Sequence, residues 1–173
     1  MKSPTVIDTT RITSFIRDHL NALAADFETG FIFSVDIAQA LGIEVVSSVV
    51  LSAAVESLGP MPFYLIARGP DDFSSLPYVW VSARPEKWKS SVPPETCWVI
   101  RSPDGHSSLR VAEGLLVFSR RGYANGHATS LGLGDFDLVS FSWSELAKAP
   151  RRSYDAAVID FVADQEKVII PFS

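Results

Sequence analysis

The sequence predicts an α+β protein with an N-terminal helical domain, residues 1–84, followed by a β-rich mixed domain, residues 85–173. Two observations predict this class. Helical patterns dominate the first part, and short β-rich runs separated by turn residues dominate the second. Between them, a polar stretch after Arg84 carries three prolines and is interpreted as a linker.

Composition sets the first limits on function. The chain has 173 residues, of which 47% are apolar and 20% charged, as expected for a globular protein with a real core. Its net charge of −5 disfavours a constitutive nucleic-acid binder, because phosphate contacts need clustered Lys and Arg. Residues 61–110 carry a net charge of +1 while both flanking regions are acidic, so any anion-binding surface is expected there.

Cysteine content and hydropathy bear on the compartment. Cys97 is the only cysteine, which excludes an intrachain disulfide and a zinc site built from cysteines. The first thirty residues lack a signal pattern. The most apolar window, Ile43–Leu58, contains two glutamates and four serines and is too short to span a bilayer. We therefore expect a soluble, cytoplasmic protein without a membrane partner.

Helices and strands of the first domain follow from spacing and turn residues. Apolar residues at three- and four-residue intervals predict an amphipathic helix at about 10–26. Ser34 is a candidate cap for the next helix, Gly42 a turn residue after it, and Gly59-Pro60 a stop. The later elements are predicted at Phe31–Phe33 (strand), Val35–Leu41 and Val45–Leu58 (helices), and Phe63–Arg68 and Tyr78–Ala83 (strands).

This order of elements resembles the winged helix-turn-helix superfamily over residues 10–84; a generic α+β domain is the alternative. The resemblance rests on Ile37-Ala38, Leu41-Gly42-Ile43, the helix after them and Gly59-Pro60. It implies that the third helix reads the DNA major groove and that the last two strands form a wing.

The third helix departs from that family pattern, because it contains no Arg or Lys, its polar face consists of serines and both its flanks are acidic. We expect it to be buried on two faces, against its own domain and against a partner or second domain. The fold would then serve protein interaction or dimerisation. The expected interface residues are Val45, Val49, Val50 and Ser52.

In the second domain, strands are predicted at Cys97–Arg101, Phe136–Trp143 and Lys167–Phe172. The run Ser108–Ser119 fits one helix or two strands turned at Glu113-Gly114. We favour strands because the run leads towards a hairpin signal at Asn125-Gly126. Ser142 and Glu145 match a capping box for a short helix, and Tyr154–Ala163 is predicted to be the last helix.

Two patterns suggest anion or nucleic-acid binding. Tryptophans alternate with basic residues at 80–89, a composition suited to stacking bases and holding phosphates. Two arginine pairs each precede a tyrosine and could share one anion site. The simpler interpretation is buried tryptophans and solvated charges. The candidate residues are Arg68, Trp80, Arg84, Lys87, Trp88, Lys89, Arg120, Arg121, Arg151 and Arg152.

The one combination worth testing as a catalytic set is Cys97 with His127 and either Asp135 or Asp137. Cys97 lies in an apolar run, so a buried structural thiol is the better interpretation. His106 and His127, both expected in turns, match no metal-ligand spacing. We predict no catalytic residues, no metal and no cofactor.

The sequence therefore predicts a non-enzymatic protein-interaction module, an adaptor or subunit of a larger assembly, which binds a protein partner or self-associates. A DNA-binding transcriptional regulator that acts through the wing and residues 84–89 is the alternative. A small hydrolase or nuclease is the second alternative.

Overall fold

The computed structural model describes residues 9–22, 29–69, 76–149 and 153–173. The chain divides into two compact units, Met1–Ser82 (unit 1) and Ala83–Ser173 (unit 2). Helices come first and both helices and several small sheets are present, so the predicted α+β class is confirmed.

The described residues of unit 1 form three helices and three strands. In chain order they are α1 (Thr9–Ala22), β1 (Thr29–Phe33), α2 (Ser34–Leu41), α3 (Ser48–Glu56), β2 (Phe63–Arg68) and β3 (Tyr78–Ala83). The strands form one sheet in the order β1-β3-β2. β1 and β3 are antiparallel, with Phe31 opposite Trp80 and Phe33 opposite Tyr78.

The helix boundaries differ in part from those predicted. The last predicted turn of α1 lies outside the described residues. α3 begins at Ser48 and not at Val45, because the Ser47 hydroxyl caps it by accepting from the Val50 N–H at 3.4 Å. Ser34 is not the cap of α2: Phe33 takes that position without a side-chain bond, and the Ser34 N–H donates to the Pro77 carbonyl at 2.9 Å.

The turn between α2 and α3 is the one that Gly42 predicted. Gly42 adopts a left-handed φ of 63°, and its N–H is directed to the carbonyls of the last turn of α2. A hydrogen bond of 3.1 Å from the Arg11 guanidinium to the Leu41 carbonyl links α1 to the same helix end. The turn changes the direction of the chain, and α3 then packs against α1.

The core of unit 1 lies between α1, α3 and the sheet. Thr13 is buried with it, and its hydroxyl donates to the Ala54 carbonyl at 3.2 Å, which fixes α1 against α3. The buried apolar residues come from these elements and from α2: Ile12, Ile16, Leu20, Ile37, Leu51, Ala54, Val79 and Val81.

Six strands and two helices are present in the part of unit 2 that the structure describes. They are β4 (Thr96–Arg101), β5 (Arg110–Val111), β6 (Gly114–Val117), α4 (Arg121–Ser130), β7 (Asp137–Ser142), α5 (Trp143–Lys148), β8 (Ala156–Ile159) and β9 (Val168–Pro171). One sheet has the order β5-β6-β8-β9 and another pairs β4 with β7. A bridge between Trp98 and Phe118 joins β4 to the end of β6.

The two helices of unit 2 cover opposite faces of these strands. Side chains alternate along a strand, so Cys97 and Val117 point to the side of Leu146 in α5. Phe118 and Val158 point to the other side, where they pack against α4. β6 and β8 run parallel and both faces are covered, which explains their continuous apolar sequences.

Several predictions for unit 2 are confirmed. Strands occupy the predicted runs as β4, β7 and β9, and the Ser108–Ser119 run contains β5 and β6 and no helix. The capping box of Ser142 and Glu145 opens α5, with both reciprocal hydrogen bonds present.

Two predictions for unit 2 were wrong. Asn125 and Gly126 lie inside α4 and form no hairpin turn, because Ala124 and Ala128, one helical turn apart, pack this helix against the strands. Tyr154–Ala163 is not a helix and contains β8, because Ala156–Ile159 is buried between β6 and β9. The apolar spacing in this segment fits both the helical period and the strand period. Packing between β6 and β9 determines that it forms a strand.

The stretch interpreted as a linker is anchored to unit 2. It contains no regular element between β3 and β4, yet Pro85 and Pro94 are buried. Trp88 packs against the apolar cluster around Cys97, and its Nε1 donates to the Val92 carbonyl at 3.0 Å.

Candidate functional site

The most unusual surface of unit 1 is the outward side of α3. Val49 is 77% exposed, and Val45, just before the helix, is 62% exposed. Positions 49, 52 and 53 share one helix face because residues three and four apart are neighbours. Ser52 is half-buried and Ala53 exposed. We call Val45, Val49, Ser52 and Ala53 the α3 surface.

The opposite side of α3 forms the core of unit 1. Leu51, Ala54 and Leu58 are buried there at helical spacing, and Val50 packs partly against the same cluster. One of the two faces expected to be buried is therefore buried within unit 1. The other face, around Val49, is open to solvent. Of the four expected interface residues, Val50 contributes mainly to the core.

Two exposed carboxylates flank the α3 surface along the chain. Residues 18–67 contain no Lys or Arg. Glu44 precedes Val45, and Glu56 lies at the C-terminal end of α3; both are exposed. Across the described parts of unit 1, no salt bridge involves either glutamate. Unit 1 as a whole has four basic and nine acidic residues, so the entire net charge of −5 belongs to it.

The candidate nucleic-acid residues at 80–89 are occupied by internal contacts. Trp80 is only 8% exposed on β3, so its ring has no open face for a base. Arg84 forms an ion pair with Asp164, and Lys87 forms one with Glu166. Trp88 packs against the apolar cluster around Cys97, as described above. Lys89 is exposed.

The remaining candidate anion ligands belong to both units. Arg68 is half-buried on β2. The Arg120 guanidinium lies 5.7 Å from the centre of the Tyr123 ring, and Arg121 is the exposed first residue of α4. Arg151 and Arg152 lie outside the described residues.

The structure separates the possible catalytic residues. Cys97 and His127 belong to clusters on opposite sides of the unit 2 strands. Asp135 is exposed in a loop, and Asp137 starts β7 opposite Arg101. Burial raises the pKa of the Cys97 thiol to about 11, with a further contribution from the Asp160 charge. The thiol contacts the Pro94 carbonyl at 3.4 Å. These groups are not arranged for nucleophilic catalysis.

The burial of two polar residues in unit 2 was not predicted, and His127, which was expected in a turn, lies in α4. Asp160 is 4% exposed, directly follows β8 and has a positive φ of 46°. His127 is 5% exposed, and its ring lies between those of Phe118 and Phe161. Burial raises the pKa of the Asp160 carboxyl and lowers that of the His127 imidazole. The sequence does contain a signal for Asp160, because an acidic residue there directly follows the apolar run Ala156–Ile159.

Unit 2 also has a shallow polar groove at the amino ends of β6 and β8. Its volume is about 600 Å³, and its walls include Arg110, Glu113 and Tyr154. The Arg110 guanidinium is bound to the Ser153 hydroxyl at 3.2 Å. Within the described chain, no group of three or more His, Cys, Asp or Glu residues is placed to hold a metal ion.

No family model, curated protein or solved structure matches this chain. None of the described helices is long and apolar enough to cross a membrane.

Proposed function

We propose that this protein is a non-enzymatic protein-interaction module, an adaptor or subunit of a larger assembly, and that the α3 surface binds its partner. The exposure of Val49 is the observation that carries this proposal. A helix that is apolar on both its inner and outer sides is usually covered on both. Burying the exposed valines would contribute roughly 25 cal/mol per Å² of apolar area.

The arrangement of unit 1 supports a winged-helix outline for this module. Its element order places α3 after a tight turn and before two strands, and the sheet order is β1-β3-β2. In such a fold α3 occupies the position that DNA-binding members present to the major groove. Here that position offers valine, alanine and serine, which suit a protein surface better than phosphates.

The charge distribution argues against the DNA-binding alternative. Unit 1 carries the net charge of −5, and Arg84 and Lys87 of the candidate patch are already paired with carboxylates. We expect weak or no binding of duplex DNA at physiological salt. A tight complex whose affinity falls steeply with salt, and that Arg84→Ala and Lys87→Ala weaken, would favour the regulator instead.

Site-directed photocrosslinking tests the interaction surface. A photoreactive amino acid at position 49 should give a discrete adduct, with a second copy or another protein, in the cells from which the chain comes. Val45→Asp should abolish this adduct. The same probe at Asn21, an exposed position on α1, is the control. An absence of any adduct from position 49 above this control would contradict the proposal.

A stability measurement must accompany the crosslinking. Val49→Asp places a charge on an exposed site, so its melting temperature should match that of the wild type. Leu51→Asp buries an unpaired charge in the core and should destabilise unit 1 by several kcal/mol. This pair separates a loss of binding from a loss of folding.

A further inference from the structure

We infer that the partner of the α3 surface is a protein segment with an apolar anchor flanked by Lys or Arg, an inference that rests on the proposed function. The apolar centre of the surface and its acidic ends carry this inference. The chemistry of the occupant follows from what unit 1 lacks.

Acidic side chains bound the α3 surface at both ends. Val49, Ala53 and Glu56 lie on one helix face, at positions i, i+4 and i+7. At 1.5 Å per residue, Glu56 lies roughly 10 Å along the axis from Val49. Glu44 stands immediately before Val45 at the other end. The apolar strip is thus about two helical turns long with an exposed carboxylate at each end.

Among the described residues of unit 1, neither of these carboxylates forms a salt bridge with Lys or Arg. The Arg11 guanidinium is bound to the Leu41 carbonyl, and Arg68 is half-buried on β2. Asp36 on α2 is also exposed. Complementary potentials across an interface favour encounter and suppress wrong partners. The balancing cations therefore come from the partner.

A second copy of the chain fits this surface poorly. In a two-fold interface the same patch faces itself, so an antiparallel α3 pair would bring Glu56 of one copy towards Glu44 of the other. Like charges placed opposite each other cost stability. Duplex DNA would meet the same repulsion from its phosphates. A basic amphipathic helix, with apolar residues at i, i+3 or i+4 and i+7, matches both the length and the charge.

Peptide selection tests this inference. A displayed library of random 16-residue peptides with no charge bias is selected on the wild-type protein and counter-selected on Val49→Asp. Enriched peptides should combine two or three large apolar residues with a net positive charge. For a synthetic enriched peptide, fluorescence anisotropy should show an affinity loss of at least about tenfold for the Glu44→Lys, Glu56→Lys double variant. Raising the salt from about 50 to 300 mM should also weaken binding several-fold.

The Asp18→Lys, Asp135→Lys double variant is the matched control, because it makes the same total charge change at two exposed positions, one on α1 and one in a loop of unit 2. It should leave the affinity within about twofold. Peptides that need Val49 but are neutral or acidic would overturn the basic partner and leave the interaction surface standing. A dimer in gel filtration that the Val49→Asp change disrupts would have the same meaning. Peptides that bind Val49→Asp equally well, or no enrichment, would contradict the proposed function itself.

Discussion

The carboxylate of Asp160 accepts two hydrogen bonds from Ser119, one from the backbone N–H and one from the hydroxyl, both at 2.7 Å. Ser119 lies just after β6 and Asp160 just after β8, so the pair joins the carboxyl ends of the two parallel strands. The Asp160 N–H completes the link by donating to the Val117 carbonyl at 2.9 Å. Asp160 is therefore a structural residue that links the carboxyl ends of β6 and β8.

Asp160→Ala should destabilise the protein by about 2–3 kcal/mol in urea unfolding, because it removes two bonds to a buried acceptor. Asp160→Asn should cost less, since the amide oxygen still accepts from Ser119 and Asn tolerates a positive φ. Asp135→Ala, at an exposed loop position, should stay within about 0.5 kcal/mol of the wild type. Equal stability of the Ala variant and the wild type would show that the pair has no structural role.

The same pair predicts a pH effect. Burial raises the pKa of Asp160 above its ordinary value of 3.8, so its protonated form is favoured in the folded state. The stability that this proton contributes is present below about pH 3.8 and is lost as the pH rises through the folded pKa. Asparagine does not ionise, so the Asp160→Asn variant does not lose stability in this way. Its free energy of unfolding, relative to that of the wild type, should therefore increase with pH from about pH 4 upwards. A flat difference between the two proteins would contradict the assignment.

His127 should make folding sensitive to mild acid. Burial against Phe118 and Phe161 lowers its pKa below 6.5, so the folded state favours the neutral ring. The stability associated with the neutral ring is present above pH 6.5 and is lost as the pH falls towards the folded pKa. His127→Gln should remove this part of the pH dependence in urea unfolding series. His106→Gln, at an exposed turn, should retain it.

Cys97 should behave as a structural thiol. With a pKa of about 11 and a fully buried sulfur, little reactive thiolate exists at neutral pH. A disulfide-exchange reagent should modify the native protein slowly and the urea-unfolded protein promptly. Cys97→Ala should cost about 1–2 kcal/mol through lost packing. Rapid modification of the native protein would instead place the thiol at an accessible, activated site.

Gly114 should tolerate no side chain. A Cβ at this position would lie 2.1 Å from the Ala156 carbonyl oxygen, because β6 and β8 approach closely there. Gly114→Ala should therefore lower stability by about 1–3 kcal/mol, the range for overpacking. At Gly134 a Cβ meets nothing within 4 Å, so Gly134→Ala should be nearly neutral. Thermal unfolding of the two variants makes the comparison.

Local patterns were sufficient to predict most of unit 1. The Gly42 turn, the Gly59-Pro60 stop and the two β-rich runs are short-range signals, and each appears at its expected place. The α3 surface was predictable only in part. Spacing identified an apolar helix without basic residues. It did not show that Leu51 and Ala54 define the buried side, which leaves Val50 partly inward and Val49 outward.

Unit 2 was harder because its sheet depends on contacts between distant residues. The apolar residues from Tyr154 to Val162 fit a helical period, yet β8 forms because β6 and β9 lie on either side of it. Asn125-Gly126 is locally a turn signal. The packing of Ala124 and Ala128 against the strands overrides it and keeps the segment in α4. The link between Ser119 and Asp160 spans forty-one positions, so no local pattern indicated it.

The parallel pairing of β6 with β8 has a consequence for biosynthesis. Every described element of unit 1 is complete once β3 has been made, so that unit can fold while the ribosome is still translating the remainder. In unit 2, α4, β7 and α5 are all synthesised between the two partner strands. The side of β6 that pairs with β8 must therefore remain unpaired until β8 is made, a delay during which a nascent chain is most open to aggregation and chaperone capture.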